Sequence, residues 1–373
     1  MTAINSGRTS AKWRAYPPDV LPLWVAEMDY PLAPAIAAAL HEAVDRSDTG
    51  YRWVGDLPQA LAEFTARRLG WALDPARVTL LGDVLVAMAE TLRRMVPGAL
   101  VITPPVYPPF FHVATDVVGR ELVEVPLVPG DGLDMAGLEA AFARPEVSAF
   151  LLCNPHNPTG QIWTREQLEQ VAVLARRHGV MVVSDEIWAP LTLPGREMTP
   201  YLSLGEELTG PDVALVAASK AFNLAGLKAA QIVAGSAATH QALTERIPIE
   251  VSYSAGHFGV IAAVAAFREG DAWLDDVRDR IVANVDLLAG LLREQLPDVH
   301  YVPGESTYLA WLDCRDLGLG DDPSAVFLER GRVALNPGAD FGAQGAGFVR
   351  LNLATTPDAI TEAVARMRAA LAS

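Results

Sequence analysis

Cysteine is scarce in this 373-residue chain, which contains only Cys153 and Cys314. Two cysteines do not make a disulfide framework for a protein of this size, so their scarcity indicates a reducing compartment. Long apolar runs are missing as well. No stretch approaches the roughly 18 apolar residues that a membrane span needs, and residues 1–14 contain no apolar segment of a signal peptide. We therefore expect a cytoplasmic protein with no membrane partner.

Positive charge is the next shortage. Lysine and arginine total 29 against 45 aspartates and glutamates, which gives a formal net charge of -16 and a pI near 4.8. Nucleic acids and anionic membranes need a basic surface, so neither is an expected partner. The remaining composition, 51% apolar and 20% charged, is that of an ordinary globular protein. Its length favours one large domain with a smaller companion.

Short apolar runs alternate with amphipathic helical patterns along the chain. These runs begin at Gly98, Arg120, Val147, Gly179, Val213 and Gln231. Strands that alternate with helices form βαβ units, so the pattern predicts an α/β fold with a mostly parallel sheet. The clearest helix follows Thr164, which is spaced to form a capping box with Gln167, and this helix ends at Gly179.

The pattern changes near residue 257. A long helix, strands near residues 305–314 and 347–354, and a terminal helix follow, without repeats or an obvious linker. We therefore predict a large domain of residues 45–256 and a smaller α+β domain formed by residues 1–44 and 257–373.

Four of the predicted strands end in residues that can carry chemistry. Ligands of open α/β sheets bind at the carboxyl ends of the strands. The residues there are "TPPVYPPF" from position 103, "CNPHNPTG" from position 153, "SDEIW" from position 184 and "SK" at 219–220. Taken singly, these are explained by turns, a helix cap and a surface lysine. Their order at the ends of successive strands favours a single site.

These motifs, followed by "FVRLNLA" around Arg350, resemble the class I/II aminotransferase superfamily, the fold-type I enzymes that use pyridoxal 5'-phosphate (PLP). The resemblance covers nearly the whole chain and implies a mostly parallel seven-stranded sheet in the large domain. Within the superfamily, "KW" at 12–13, "LPLWVAEMDYPLAP" at 21–34, "GYRW" at 50–53 and "PPVYPPF" at 104–110 are most similar to the MalY/PatB-type cystathionine β-lyases, or C-S β-lyases.

The resemblance assigns the cofactor ring to four residues. Lys220 would hold the cofactor aldehyde as a Schiff base and, once displaced by substrate, take the Cα proton. Asp185 would keep the pyridine nitrogen protonated, since a buried carboxylate needs a cation. Asn157 would donate to the ring oxygen, and Tyr107 would stack on the ring. The family pattern also allows cis peptide bonds on either side of His156, before the two prolines of "NPHNP".

The cofactor phosphate needs N–H donors and cations. We expect a helix to begin at Gly82, so that the backbone N–H groups of Asp83 and Val84 point at the phosphate. The Asp83 carboxylate is an awkward neighbour for an anion, and we expect it to turn outward. Ser219 and Lys228 match the hydroxyl and cationic ligands of the family.

Three further residues are assigned to the substrate and the partner subunit. Arg350 would bind the α-carboxylate of an amino-acid substrate through two hydrogen bonds, beside Asn157, and Trp24 would line the entrance. Tyr51 matches a tyrosine that reaches the phosphate of the neighbouring subunit, so the resemblance implies a homodimer with a shared active site. No metal site is predicted.

One position departs from the family pattern, and the reaction stays open. Aminotransferases have a ring-oxygen donor tyrosine three residues after the aspartate, and the lyases often have histidine, whereas Trp188 stands here. Its indole donates but does not titrate. We predict a lyase that cleaves cystathionine or related cysteine conjugates to a thiol, pyruvate and ammonia. The alternatives are an aminotransferase of L-amino acids and, outside enzymes, a ligand-binding regulator.

Overall fold

The computed structural model describes residues 7–372 of the chain. Its strands are, in chain order, β1 Leu21–Pro22, β2 Val78–Leu81, β3 Ala99–Ile102, β4 Leu122–Glu124, β5 Val147–Cys153, β6 Met181–Asp185, β7 Val213–Val216, β8 Ala230–Ala234, β9 His300–Tyr301, β10 Leu309–Asp313, β11 Val333–Ala334, β12 Asn336–Pro337 and β13 Phe348–Asn352. Its α-helices are α1 Ala11–Arg14, α2 Pro34–Asp45, α3 Leu57–Leu69, α4 Val84–Met95, α5 Pro109–His112, α6 Met135–Phe142, α7 Arg165–His178, α8 Glu206–Thr209, α9 Ala237–Arg246, α10 Ile249–Ser252, α11 His257–Glu269, α12 Asp271–Gln295, α13 Pro323–Glu329 and α14 Pro357–Leu371.

A seven-stranded sheet forms the centre of the large domain. Its strand order is β2-β8-β7-β6-β5-β3-β4, and the five strands from β7 to β4 are mutually parallel. Strand β8 runs antiparallel to both of its neighbours. All six apolar runs form strands of this sheet, so the predicted α/β class and mostly parallel sheet are confirmed. The runs did not include the short edge strand β2.

The register of the sheet brings the chemically important strand ends to one row. Cys153 at the end of β5 pairs with Asp185 at the end of β6, which in turn pairs with Leu215 of β7. The backbone N–H of Asn154 continues this row by donating to the Asp185 carbonyl at 2.9 Å. The loops that follow β5, β6 and β7 therefore start side by side.

Helix α7 has the predicted boundaries. The Thr164 hydroxyl accepts from the Gln167 N–H, the Gln167 side chain accepts from the Thr164 N–H, and Gly179 closes the helix in the left-handed conformation at φ 67°. Its apolar side chains are buried against the sheet, as the pattern predicted.

The long helical segment expected after residue 257 is present but divided, because the chain forms α11 and α12 with a break at Gly270. A Cβ atom at Gly270 would lie 2.4 Å from the ring of Phe222. The chain must therefore pass this ring without a side chain.

A second sheet lies in the C-terminal part, with the antiparallel order β12-β13-β10-β9. Strand β1 pairs in parallel with β11, which ties the N-terminal segment to this part of the chain. These pairings support the division into residues 45–256 and residues 1–44 with 257–373, which stays a proposal. No helix among residues 7–372 is long and apolar enough to span a membrane.

Candidate active site

A cavity of about 390 Å³ opens at the carboxyl ends of β5, β6 and β7. It gathers the predicted site residues with one exception, Tyr51. Those that line it are Trp24, Asp83, Val84, Tyr107, Asn157, Asp185, Ser219, Lys220, Lys228 and Arg350. Residues far apart in sequence therefore share one site, as the ordered strand ends predicted.

Lys220 follows β7 and its amine lies deep in the cavity. Nζ donates to the Ala26 carbonyl at 3.2 Å and lies 5.6 Å from the centre of the Trp188 ring. Burial, together with the nearby Arg350 charge, lowers the pKa of Lys220 to about 8. Only an unprotonated amine attacks an aldehyde, so this lowering favours covalent attachment of a carbonyl cofactor near neutral pH.

Asp185 ends β6 beneath the same cavity. Its Oδ1 accepts from the Ile187 N–H at 3.2 Å, and burial raises the pKa of the carboxyl to about 7. A carboxylate in this position is stabilised by a cation, and a protonated pyridine nitrogen supplies one. The residue thus fits the ring-nitrogen role assigned to it.

Arg350, on β13, holds Asn157 in place. Its Nη1 donates to Asn157 Oδ1 at 3.1 Å, which leaves the Asn157 Nδ2 group as the donor for a ring oxygen. Arg350 Nη2 donates to Asn336 Oδ1 at 2.5 Å and to the Trp24 carbonyl at 3.1 Å. The peptide bonds that precede Pro155 and Pro158 are both cis.

The Arg350 guanidinium is almost fully buried, and burial lowers its pKa to about 10. Its Nε is buried without a hydrogen-bond partner among the described residues. No carboxylate within residues 7–372 forms a salt bridge to it. A buried cation without a protein counter-charge fits a site for a substrate carboxylate.

The phosphate end of the cavity differs from the expectation. Helix α4 begins at Val84 rather than at Gly82, and Asp83 is its N-cap. The Asp83 carboxylate does not turn outward, because Oδ1 accepts from the Val86 N–H at 2.9 Å and Oδ2 accepts from Lys228 Nζ at 2.8 Å. Burial alone would raise the pKa of Asp83, but these hydrogen bonds lower it. Asp83 therefore competes with a phosphate for Lys228.

Two aromatic side chains complete the wall around Lys220. Trp188, only 2% exposed, packs edge-on against Tyr308 with the ring centres 4.9 Å apart. The Tyr308 hydroxyl donates to the Ala26 carbonyl at 3.1 Å, the same oxygen that accepts from Lys220. Tyr107 lies on the bend after β3, and burial raises the pKa of its hydroxyl. Tyr308 and Ala26 were not predicted as site residues.

Residues 24–28, which we call the N-terminal strap, cover this side of the cavity through backbone carbonyls. The Trp24 carbonyl accepts from Arg350 and the Ala26 carbonyl from Lys220. The Val25 and Glu27 carbonyls both accept from Asn352 Nδ2, at 2.8 and 2.7 Å. The strap therefore contacts both Lys220, the predicted Schiff-base lysine, and Arg350, the predicted ligand of the substrate carboxylate.

A buried ion pair fixes the C-terminal end of the strap. Lys12, which is fully buried, donates from Nζ to Asp29 Oδ1 at 2.6 Å and to the Glu27 carbonyl at 3.1 Å. Sequence reasoning placed "KW" only as a family motif, and it missed the contacts that Lys12 makes. It also missed Asn352, although Asn352 shares a strand face with Arg350 and that spacing was a usable signal.

Tyr51 lies outside the cavity of its own chain and is 92% exposed. Its ring packs edge-on against Tyr253, with the ring centres 6.2 Å apart. Three more large apolar side chains, at or near Tyr51 or Tyr253 in the sequence, are also exposed: Trp53, Ile249 and Tyr253 itself. The cofactor-binding role predicted for Tyr51 is therefore not placed within its own chain and stays a proposal.

The parallel sheet and the amine-bearing cavity at its carboxyl edge define a class of protein. The chain matches the family "Aminotransferase class I and II" over residues 18–367, and it belongs to that family. Its relatives include the cystathionine beta-lyase PatB of Bacillus subtilis, which is 35% identical over 360 residues, with 95% of this chain and 93% of the relative covered.

Two more comparisons agree with this placement. The protein MalY of Escherichia coli is 32% identical over 345 residues, with 90% of this chain and 87% of the relative covered. The crystal structure of cystalysin from Treponema denticola, which contains a pyridoxal 5'-phosphate cofactor, superposes with a TM-score of 0.94 at 26% identity. That comparison covers 100% of this chain and 98% of the other. The resemblance to PLP-dependent enzymes of the MalY/PatB type is confirmed.

The residues of the cavity fit PLP. A buried amine, a buried carboxyl with a raised pKa and an amide donor lie on three adjacent strand ends, and the first turn of α4 supplies N–H groups. A metal would need a different donor set, and residues 7–372 hold no cluster of three or more His, Cys, Asp or Glu side chains suited to one.

Proposed function

We propose that this chain is a PLP-dependent C-S β-lyase that cleaves cystathionine or related cysteine S-conjugates. One observation carries the proposal: Lys220, Asp185 and the counter-charge-free Arg350 line a single cavity in a relative of PatB and MalY. For cystathionine, the C–S bond breaks, one water is consumed, and the products are homocysteine, pyruvate and ammonia. These products account for every atom of the two reactants.

Each residue has a task in this reaction. Arg350 holds the α-carboxylate and so fixes the amino acid with its Cα near Lys220. Lys220, whose amine is neutral above a pKa of about 8, takes the Cα proton. Bound PLP supplies the electron sink for the resulting carbanion, and Asp185 keeps its ring nitrogen cationic. A thiolate then leaves Cβ, since thiols have a pKa near 8.5 and leave far more readily than hydride.

The test is turnover without an amino acceptor. The holoenzyme is incubated with L-cystathionine and no 2-oxo acid, and thiol, pyruvate and ammonia are measured over time. We expect equal amounts of the three over many turnovers, because lyase chemistry returns the cofactor in its aldehyde form. A single turnover that resumes only after a 2-oxo acid is added would place the protein among the aminotransferases instead.

We also propose that the enzyme is a homodimer in which Tyr51 contributes to the partner's site. The proposal is supported by the exposure of Tyr51 and its absence from the cavity of its own chain. Mixing Tyr51→Phe chains with Lys220→Ala chains creates some sites in which both residues are intact. Activity should therefore exceed that of either parent. No gain after proven subunit exchange would show that each site is built from one chain.

We propose a cytoplasmic location because both cysteines carry free thiols. Cys153 and Cys314 are both free and buried, and burial raises the pKa of each thiol.

A further inference from the structure

Some of the charged side chains that line the cavity have a partner of opposite charge, and others do not. Asp83 pairs with Lys228 at 2.8 Å. Asp185 lies under Lys220, and the attraction between them opposes the lowering of the Lys220 pKa. Arg350 has no carboxylate partner within residues 7–372, which suits the substrate α-carboxylate. One charge remains, the carboxylate of Asp340.

Asp340 lines the cavity and is exposed. Its side chain forms no ion pair or hydrogen bond within the described part of the chain, residues 7–372. A carboxylate at the mouth of a ligand cavity attracts a cation on whatever part of the ligand extends toward the opening.

The backbone around Asp340 is held from two sides. Asp340 lies in the short 3₁₀ turn Gly338–Phe341, which follows β12. The Phe341 carbonyl accepts from the Val106 N–H at 2.9 Å, and the Arg350 guanidinium carbon lies 5.1 Å from the centre of the Phe341 ring. The turn is therefore fixed relative to Arg350. Because Asp340 and Arg350 line the same cavity, a substrate anchored by its α-carboxylate on Arg350 would lie in the cavity that Asp340 also borders.

We propose that Asp340 is a specificity-determining residue that selects substrates with an ammonium group on the sulfur-linked side. This inference rests on the proposed C-S lyase function and names its substrate class. The preferred substrates are S-substituted cysteines whose leaving thiol carries a positive charge, and the homocysteine half of cystathionine carries such an ammonium. A substrate whose leaving thiol carries a carboxylate and no ammonium should bind less well, because its negative charge is repelled by Asp340.

The test compares three cysteine conjugates of similar size. S-Aminoethyl-L-cysteine carries a distal cation, S-propyl-L-cysteine is neutral, and S-carboxyethyl-L-cysteine carries a distal anion. Thiol release gives kcat/KM for each with the wild-type holoenzyme and with Asp340→Asn, which removes the charge and keeps the shape. Asp131→Asn, an exposed site outside the cavity, changes the net charge equally and serves as the control.

With Asp340→Asn, we expect the kcat/KM ratio of the aminoethyl to the propyl conjugate to fall about threefold to fivefold, the range of an exposed ion pair. The ratio of the carboxyethyl to the propyl conjugate should rise by a similar factor. Both changes should shrink at high salt, and Asp131→Asn should show neither. Unchanged ratios in Asp340→Asn overturn the proposal while leaving the lyase function intact. If the wild type releases thiol neither from these three conjugates nor from L-cystathionine, the proposed lyase function itself fails.

Discussion

The two sides of the cavity are built in different ways. On the sheet side, Asn157, Asp185 and Lys220 follow strands that are buried and paired in register. On the opposite side, the N-terminal strap meets Arg350 and Asn352 through hydrogen bonds between residues 325 to 327 positions apart. The sheet side is fixed by local β-structure, and the strap side by contacts between the two ends of the fold.

This difference separates chemistry from access. The sheet side holds the groups assigned to the cofactor ring, and local strand pairing places them side by side. On the strap side, the Trp24 and Ala26 carbonyls accept hydrogen bonds from Arg350 and Lys220, so the strap borders both cations. Changes on the sheet side should therefore abolish chemistry, whereas changes on the strap side should weaken binding and stability.

The largest effect is expected for Lys220→Ala on the sheet side. The variant loses both the covalent attachment point and the base, so turnover should fall by about 10⁴-fold or more, and the visible absorption of the bound cofactor should change. Lys228→Ala is the comparison, because it removes the other cavity lysine, the predicted phosphate ligand, so it should weaken cofactor binding but keep turnover when PLP is in excess. Lyase activity and an unchanged spectrum in Lys220→Ala would refute the assignment.

The next effect belongs to Asp185→Asn. The amide can still accept from the Ile187 N–H, but it has no charge to hold the ring nitrogen protonated, so kcat should fall about a thousandfold. Asp212→Asn is the matched control, since Asp212 is also buried with a pKa raised to about 7 by burial but does not line the cavity. Equal losses in the two variants would mean that only stability was being measured.

Arg350→Lys probes the substrate anchor on the strap side. A lysine keeps the charge but not the paired hydrogen bonds, so kcat/KM should fall about tenfold to a hundredfold, mostly through KM. Arg332 lies outside the cavity, and its half-buried guanidinium pairs with Asp19 at 2.8 and 3.1 Å, so Arg332→Lys is the control substitution. A loss confined to kcat would contradict the anchoring role.

A pH dependence tests the burial of the sheet side. Protonated Lys220 does not react with an aldehyde, and its pKa is lowered from 10.5 to about 8, so the reactive fraction rises between pH 7 and 9. The rate at which the cofactor-free protein takes up PLP should increase about tenfold over this range and level off above it. It can be followed by visible absorbance. A midpoint near 10 would show that the amine is not desolvated.

The smallest effect is expected for Asn352→Ala, which removes two hydrogen bonds to the strap. Unfolding should become easier by about 1 to 3 kcal/mol, because two strap carbonyls lose their donor. The kcat/KM value should fall only about threefold to tenfold. Asn284→Ala is the control, since Asn284 is buried and donates to the Leu353 and Thr355 carbonyls rather than to the strap. A similar loss of kcat/KM in both variants would contradict the inference that the hydrogen bonds between Asn352 and the strap support substrate binding.

The sequence could predict the sheet side because its signals are local. Apolar runs mark strands, and the residue after each run lies at the ligand-binding edge, so the pattern predicts that Asp185 and Lys220 lie in one site. The strap side gave no such signal. Ala26 acts through its backbone, and Tyr308 and Asp340 lie in unremarkable sequence, so their placement follows only from long-range packing.

The prediction for Asp83 at the phosphate end of the cavity was wrong for another reason. An aspartate beside an expected anion was assumed to point away, but the N-cap position and Lys228 together offer Asp83 stronger partners than solvent does. Competition between a local cap and a distant cation is not visible in a one-dimensional pattern.

The hydrogen bonds of the strap have a consequence for how the protein is made. Trp24 leaves the ribosome hundreds of residues before its partner Arg350. Val25 and Glu27 are likewise synthesised long before their partner Asn352. The strands that carry Asp185 and Lys220 can pair while synthesis continues, yet the substrate anchor cannot form until almost the whole chain has emerged. Contacts of such sequence separation form slowly. We therefore expect a nascent chain that lacks β13 to assemble the central sheet and still bind no amino acid.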